Sequence, residues 1–248
     1  MRPIAAVVVC GWVCGSLAYA ADLPSGDSLM DLAVTRGGAA AYARAKNVVM
    51  TGTVEMAGHA ITGPISVYQQ GDKSYSAIEL PGMGKVEEGF DGETAWEMNA
   101  LQGPRIKEGE EKAASVRASK LTSLGSWRDD YKAARTLGIE DLDGKPAWKV
   151  ELTPREGKPE IFYFDQKSVL LVRVTQTLST AMGDIPVDAG FADYRVVDGI
   201  ETPFTMVQKA MGQTINMHFD KVIYNAEMAG DRFQLPAAVK ALLVKRKP

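Results

Sequence analysis

The sequence predicts a mainly β protein with some helix: one large, strongly curved antiparallel sheet of about eleven strands, short N-terminal helices, and one longer helix set into the strand series. Three observations carry that prediction. From Asn47 onward, apolar residues recur with the two-residue period of half-buried strands. Glycine-bearing turns follow at Gly58, Gly71, Gly82, Asp91-Gly92 and Gly103, spaced 10 to 13 residues apart, which is the rhythm of strands joined by hairpins. That rhythm stops between Gly103 and Gly144, and the stretch beyond Glu108, Glu110 and Glu111 has the composition of a helix with acids at its N-terminus.

The elements follow in order. Residues 1–20 read as a secretory signal peptide: Arg2, an apolar run from Ile4 to Val13, and the small-residue cleavage site Ala18-Tyr19-Ala20. The apolar run is shorter than the roughly 20 residues that span a bilayer. Cleavage after Ala20 would leave residues 21–248 as a single periplasmic domain. Both cysteines, Cys10 and Cys14, lie in the leader, and each follows a valine where a lipid-attachment site has a small residue. Asp27 and Ser28 are helix-capping residues ahead of Leu29, Leu32 and Ala33, and Gly37-Gly38 stops that helix before a short alanine-rich one at residues 39–46. The first strand begins at Asn47. Residues 109–123 are predicted as a single amphipathic helix, and strand rhythm returns at Gly144, Gly157, Lys167, Gly183, Gly199 and Gly212.

Composition excludes several functions. Lys and Arg total 28 against 31 Asp and Glu, a net −3 with no basic run until the last residues, so nucleic acid is not an expected partner. Two cysteines and two histidines are too few for zinc fingers or disulfide scaffolds, and neither His59 nor His218 has a ligand-spaced partner. GIEDLDGK at 138–145 fails as a phosphate loop: its spacing is wrong, Pro146 stands where a hydroxyl residue should, and three acids would repel phosphate. The acidic pairs Glu87-Glu88 and Asp129-Asp130 read as solvated charges. No enzyme, metal or cofactor is expected.

What the sequence offers instead is an apolar sheet face with too few helices to cover it. Met50, Met56, Met98, Met206 and Met217 fall on that face, and methionine adapts its shape to varied apolar partners. The predicted lining of an apolar cavity is Met50, Val54, Met56, Ile65, Val67, Ile78, Leu80, Phe90, Trp96, Met98, Val150, Phe162, Phe164, Val172, Val174, Met206, Met217 and Phe219. The inserted helix would act as a lid through Val116, Leu121 and Leu124.

A helix ending in Gly37-Gly38, then NVVMTGTVEM, FDGETAW and an inserted helix resembles the periplasmic outer-membrane lipoprotein carrier superfamily (LolA/LolB-like). YFDQKSVLLVR, FADYRVVDGIETPF and the closing Asn225, Phe233, Leu235 and Pro236 look like blocks of its uncharacterised members. The resemblance covers residues 28–240. It implies a half-open barrel closed by helices around an apolar cavity, and a monomeric carrier without cofactors. Its partners would be a lipid or acylated lipoprotein, with membrane-bound donor and acceptor proteins. An envelope sensor of the same fold is the alternative. The arginine that latches the lid in shorter carriers has no assigned match here.

Overall fold

The structure is a computed structural model that describes residues 23–121, 124–180 and 183–245. The predicted signal peptide and its cleavage site lie outside the described residues.

The chain enters through α1 (Gly26–Arg36) and α2 (Ala39–Tyr42). Six strands follow: β1 (Asn47–Met56), β2 (Ile61–Gln70), β3 (Lys73–Leu80), β4 (Gly84–Phe90), β5 (Ala95–Asn99) and β6 (Gly103–Ile106). Next come α3 (Gly109–Ser119) and α4 (Trp127–Asp130). The second strand series is β7 (Tyr131–Leu142), β8 (Lys145–Pro154), β9 (Glu160–Asp165), β10 (Leu171–Thr180), β11 (Gly183–Val197), β12 (Ile200–Ala210) and β13 (Gln213–Tyr224), and α5 (Ala237–Lys245) closes the chain. Among the described residues, no helix is long and apolar enough to cross a membrane.

All 13 strands form one antiparallel sheet in the order β6-β5-β4-β3-β2-β1-β13-β12-β11-β10-β9-β8-β7. Every neighbour is a sequential hairpin except β1 and β13, which pair the two meanders. Among the described residues the sheet does not close, and β6 and β7 stand at its two edges. The fold is therefore the mainly β, half-open barrel that was expected, with 13 strands where about eleven were read. Three strands lack a legible period. β6 holds Pro104 and Arg105, β7 carries register shifts near Ala133 and Gly138, and β11 interrupts its alternation with Pro186 and Gly190. The helical interruption consequently ends at Tyr131, not at Gly144.

The topology fixes where the inserted helix goes. The chain leaves one edge of the sheet at β6 and must reach the other edge at β7, so the connection crosses the open side. α3 lies on that route, against β4, β5 and β10.

α1 seals the other part of the sheet. Its cap is Ser25, whose hydroxyl accepts from the Ser28 amide at 3.1 Å, while Asp27 sits in the first turn. Leu29, Met30 and Ala33 pack onto Val150, Leu152, Phe162, Phe164 and Val174. Gly26 permits this approach, since a Cβ there would come within 2.3 Å of the Ala134 carbonyl carbon. Gly38 has φ +97° and lies against Gly199, where a Cβ would meet the carbonyl oxygen at 2.3 Å. Only glycine satisfies both the left-handed backbone and that contact.

Candidate functional site

Register assigns each side chain to a face. Across β2, β1, β13 and β12, the aligned set Val67–Met50–Val222 and the set Val54–Met217–Met206 share one side, the concave one. The same alternation runs outward through Ile65–Ile78–Val86 on one wing. On the other wing it runs through Met206–Phe191 and through Ala189–Val174–Phe162–Val150.

The predicted lining separates into three groups on this frame. Met50, Val54, Met56, Ile65, Val67, Ile78, Leu80, Met206, Met217 and Phe219 form one cluster on β1–β3, β12 and β13. Val54 and Phe219 are fully buried within it, but Met50, Val67, Ile78, Met206 and Met217 remain only half-buried although they lie inside the curve of the sheet. Phe90 is buried on the same face of β4. Val150, Phe162, Phe164 and Val174 belong to the second group, the solid core beneath α1.

Three residues fall outside the concave face. Phe90 pairs with Ala95 across the Asp91–Thr94 turn, so Ala95 takes the inner position and Trp96 and Met98 project outward. Trp96 lies 6.2 Å from the Tyr75 ring, and Arg232 of the C-terminal segment stacks on Tyr68 and Tyr75 beside it. Val172 is the extra residue of a bulge between Leu171 and Arg173 and lines an outer hollow with Arg173, Asp188 and Lys145. The sequence period alone misplaces all three, because a tight turn and a bulge each advance the alternation by one residue.

The lid also differs from expectation. α3 ends at Ser119, and Val116 turns to a shallow surface hollow shared with Asp129, Asp130 and Arg155. Leu121 and Leu124 follow the helix. They line an apolar pocket of about 290 Å³ with Ala33, Val34 and Tyr42. The helix face that meets the barrel interior is small and polar: Glu111, Ala114, Ser115, Ala118 and Ser119.

Beneath that face is a cavity of about 330 Å³. One wall comes from β2–β4 with Val67, Ser74, Ser76 and Glu88. The other comes from β10–β12 with Gln176, Leu178, Val187, Ala189 and Gln208. Glu88 keeps 52% of its side-chain surface accessible because it faces this space, and it accepts a hydrogen bond from Lys107 at 2.7 Å. Lys107 holds the Glu88 carboxyl below the usual carboxylate range. Burial opposes the Lys107 charge, but Glu88 outweighs it and raises the ammonium above its ordinary value.

α3 is tied down at both ends. Arg105 of β6 donates two hydrogen bonds to Glu111, at 2.8 and 2.6 Å, and a third to Glu97. At the other end Arg117, 12% exposed, donates to Glu160, 6% exposed, at 2.5 Å. The Tyr131 hydroxyl donates to the second Glu160 oxygen at 2.7 Å, and burial together with that carboxylate pushes its pKa up, so it stays protonated. Ser119 and the Leu121 amide bond the Asp72 and Gly71 carbonyls of the β2–β3 turn.

The histidines are apart from all of this. His59 is in the β1–β2 turn, and His218 is exposed on the outer face beside Thr205 and Asp220. Among the described residues, no group of three or more His, Cys, Asp and Glu is arranged to hold a metal ion.

No family model matches the sequence, and no curated protein matches it either. Solved structures do. A DUF1329 family protein from Desulfovibrio piger superposes with a TM-score of 0.58 at 16% identity, covering 87% of this chain and 100% of that one. A LolA superfamily protein from Nitrosomonas europaea gives 0.55 at 12% identity, with 86% and 99% covered. A domain assigned to outer membrane lipoprotein sorting, from Vibrio parahaemolyticus, gives 0.54 at 14% identity, with 88% and 99% covered. The chain therefore has the LolA-like fold, shared with proteins of a family of unknown function. At these identities the likeness is one of fold.

Proposed function

We propose that the protein is a carrier, exported to the periplasm, that holds a lipid or the acyl chain of a lipoprotein non-covalently inside the half-barrel. The observation that carries this reading is the strip Met50, Val67, Ile78, Met206, Ile215 and Met217, which lies on the concave face and is only half-buried. A solid core would have sealed these side chains. Each methylene of an acyl chain laid on the strip contributes about 0.8 kcal/mol, and methionine adapts to chains of different shape. The fold shared with a lipoprotein-sorting domain and a LolA superfamily protein supports the same assignment.

Release requires α3 to move, because it bridges the two wings and is fastened at Arg105–Glu111 and Arg117–Glu160. A membrane-bound donor or acceptor would act there. Mass spectrometry of an organic extract of the natively purified protein tests the reading. A lipid bound in stoichiometric amount is expected. A protein that copurifies with no lipid and fails to bind a fluorescent acyl probe contradicts it, and a stable protein partner in place of lipid would point to a sensor.

A further inference from the structure

The cavity beneath α3 is not uniformly apolar, and its polar groups are distributed in a way that a chain-binding tunnel does not need. Glu88 and Ser76 stand on one wall, and Gln176 and Gln208 stand on the facing wall. Among the described residues, no side-chain hydrogen bond engages Gln176, Gln208, Ser74 or Ser115. Half-buried amides and hydroxyls that no protein group engages are free to bond a polar guest.

The charge of the surroundings selects the guest. Glu88, Glu97 and Glu111 are three carboxylates against two cations, Arg105 and Lys107. Arg105 gives three of its N–H donors to the two carboxylates Glu97 and Glu111, which neutralise its charge, and Lys107 is paired with Glu88. Among the described residues around the cavity, neither Arg105 nor Lys107 lacks a carboxylate partner, whereas Glu88 retains an accessible carboxylate edge toward the cavity. The apolar strip begins next door, since Val67 lines the cavity and pairs with Met50.

We propose that this cavity receives the polar head of a single amphiphilic ligand, that the head donates hydrogen bonds and carries no negative charge, and that the chain runs from Val67 along the methionine strip. The inference rests on the carrier reading and narrows it: an amine or a hydroxyl-rich head fits, and a free carboxylate does not. The small side chains Ala114, Ser115 and Ala118 of α3 leave room for the head under the closed lid.

The test is competition against a fluorescent acyl probe by dodecylamine, a dodecyl glucoside and dodecanoate, each below its micellar concentration, with the purified protein at neutral pH. The amine and the glucoside should bind at least about tenfold more tightly than dodecanoate, a difference of about 1.4 kcal/mol. Glu88→Gln should weaken the amine about tenfold and leave the glucoside nearly unchanged. Replacing Gln176 and Gln208 together by leucine removes no existing hydrogen bond, so the variant should fold, and it should weaken the glucoside selectively. Equal binding of all three amphiphiles, or a preference for dodecanoate, overturns the head-group assignment and leaves the carrier reading standing. Binding of none of them, and of no probe, overturns both.

Discussion

Val150 and Met217 occupy comparable places on the concave face of one sheet, yet Val150 is fully buried and Met217 is only half-buried. The difference lies in what each part of the sheet is given as a cover. β7–β10 receive α1, whose Leu29, Met30 and Ala33 fill the space above Val150 and Phe164. The β2–β4 wing and the facing stretch of β10–β12 receive α3, which presents Glu111, Ala114, Ser115 and Ala118 and is fastened by charges at its two ends. One helix fills the concavity and the other bridges it. A sheet of this size can thus be stabilised over one part and left available over another, and the choice is made by the side chains of two helices of equal length.

That contrast can be broken or sharpened by substitution. The largest effect is expected in the filled part: Phe164→Ala should cost about 3–5 kcal/mol, read as a lower urea midpoint with little change in probe binding. The lid comes next. Arg117→Ala leaves Glu160 without its cation in a nearly buried setting, a loss of about 3 kcal/mol at that contact. Hydrogen exchange over residues 109–119 should accelerate by about two orders of magnitude, while the amides of β8 and β9 keep their protection. The smallest effect is in acid. The Glu88 carboxyl lies below its ordinary value of 4.5 in the folded protein, mainly because of Lys107. A depressed folded pKa gives stability that is complete above the unfolded value and lost as pH falls from 4.5 through the folded one. Urea midpoints followed from about pH 6 to about pH 3 should therefore fall less steeply for Glu88→Gln than for the unaltered protein.

Much of the framework was legible in the sequence. Alternation in NVVMTGTVEM and the spaced turn glycines locate the first meander, and the acids of Glu108, Glu110 and Glu111 locate the inserted helix. What escaped was parity after an irregularity. Simple alternation puts Trp96 inward because a tight turn such as Asp91–Thr94 leaves no mark on the sequence period, and it puts Val172 inward because a bulge has no sequence period of its own. The polar side of the cavity is hard to read in the sequence for a different reason. Glu88 stands between Val86 and Phe90, and Gln176 between Val174 and Leu178, at the inward parity. A polar residue interrupting an apolar alternation is a readable signal, but Glu87-Glu88 taken as a pair looks like a solvated charge cluster. The tethers Arg105–Glu111 and Arg117–Glu160 join residues from strands and helix that only the folded topology brings together. Arg105 is a sheet arginine on the lid, which the sequence did not single out.

The central claim is that the concave face is solid under α1 and open under α3. Placing the same charge in each part tests it most directly. Val150→Asp puts a carboxylate where water has no access, at a cost of several kcal/mol, and should abolish cooperative thermal unfolding. Met217→Asp puts it on a side chain that is only half-buried, where water can reach the carboxylate, and the protein should unfold cooperatively within a few degrees of the original while losing the acyl probe. A Met217→Asp protein that fails to fold like Val150→Asp, or that folds and binds the probe unchanged, would contradict the account.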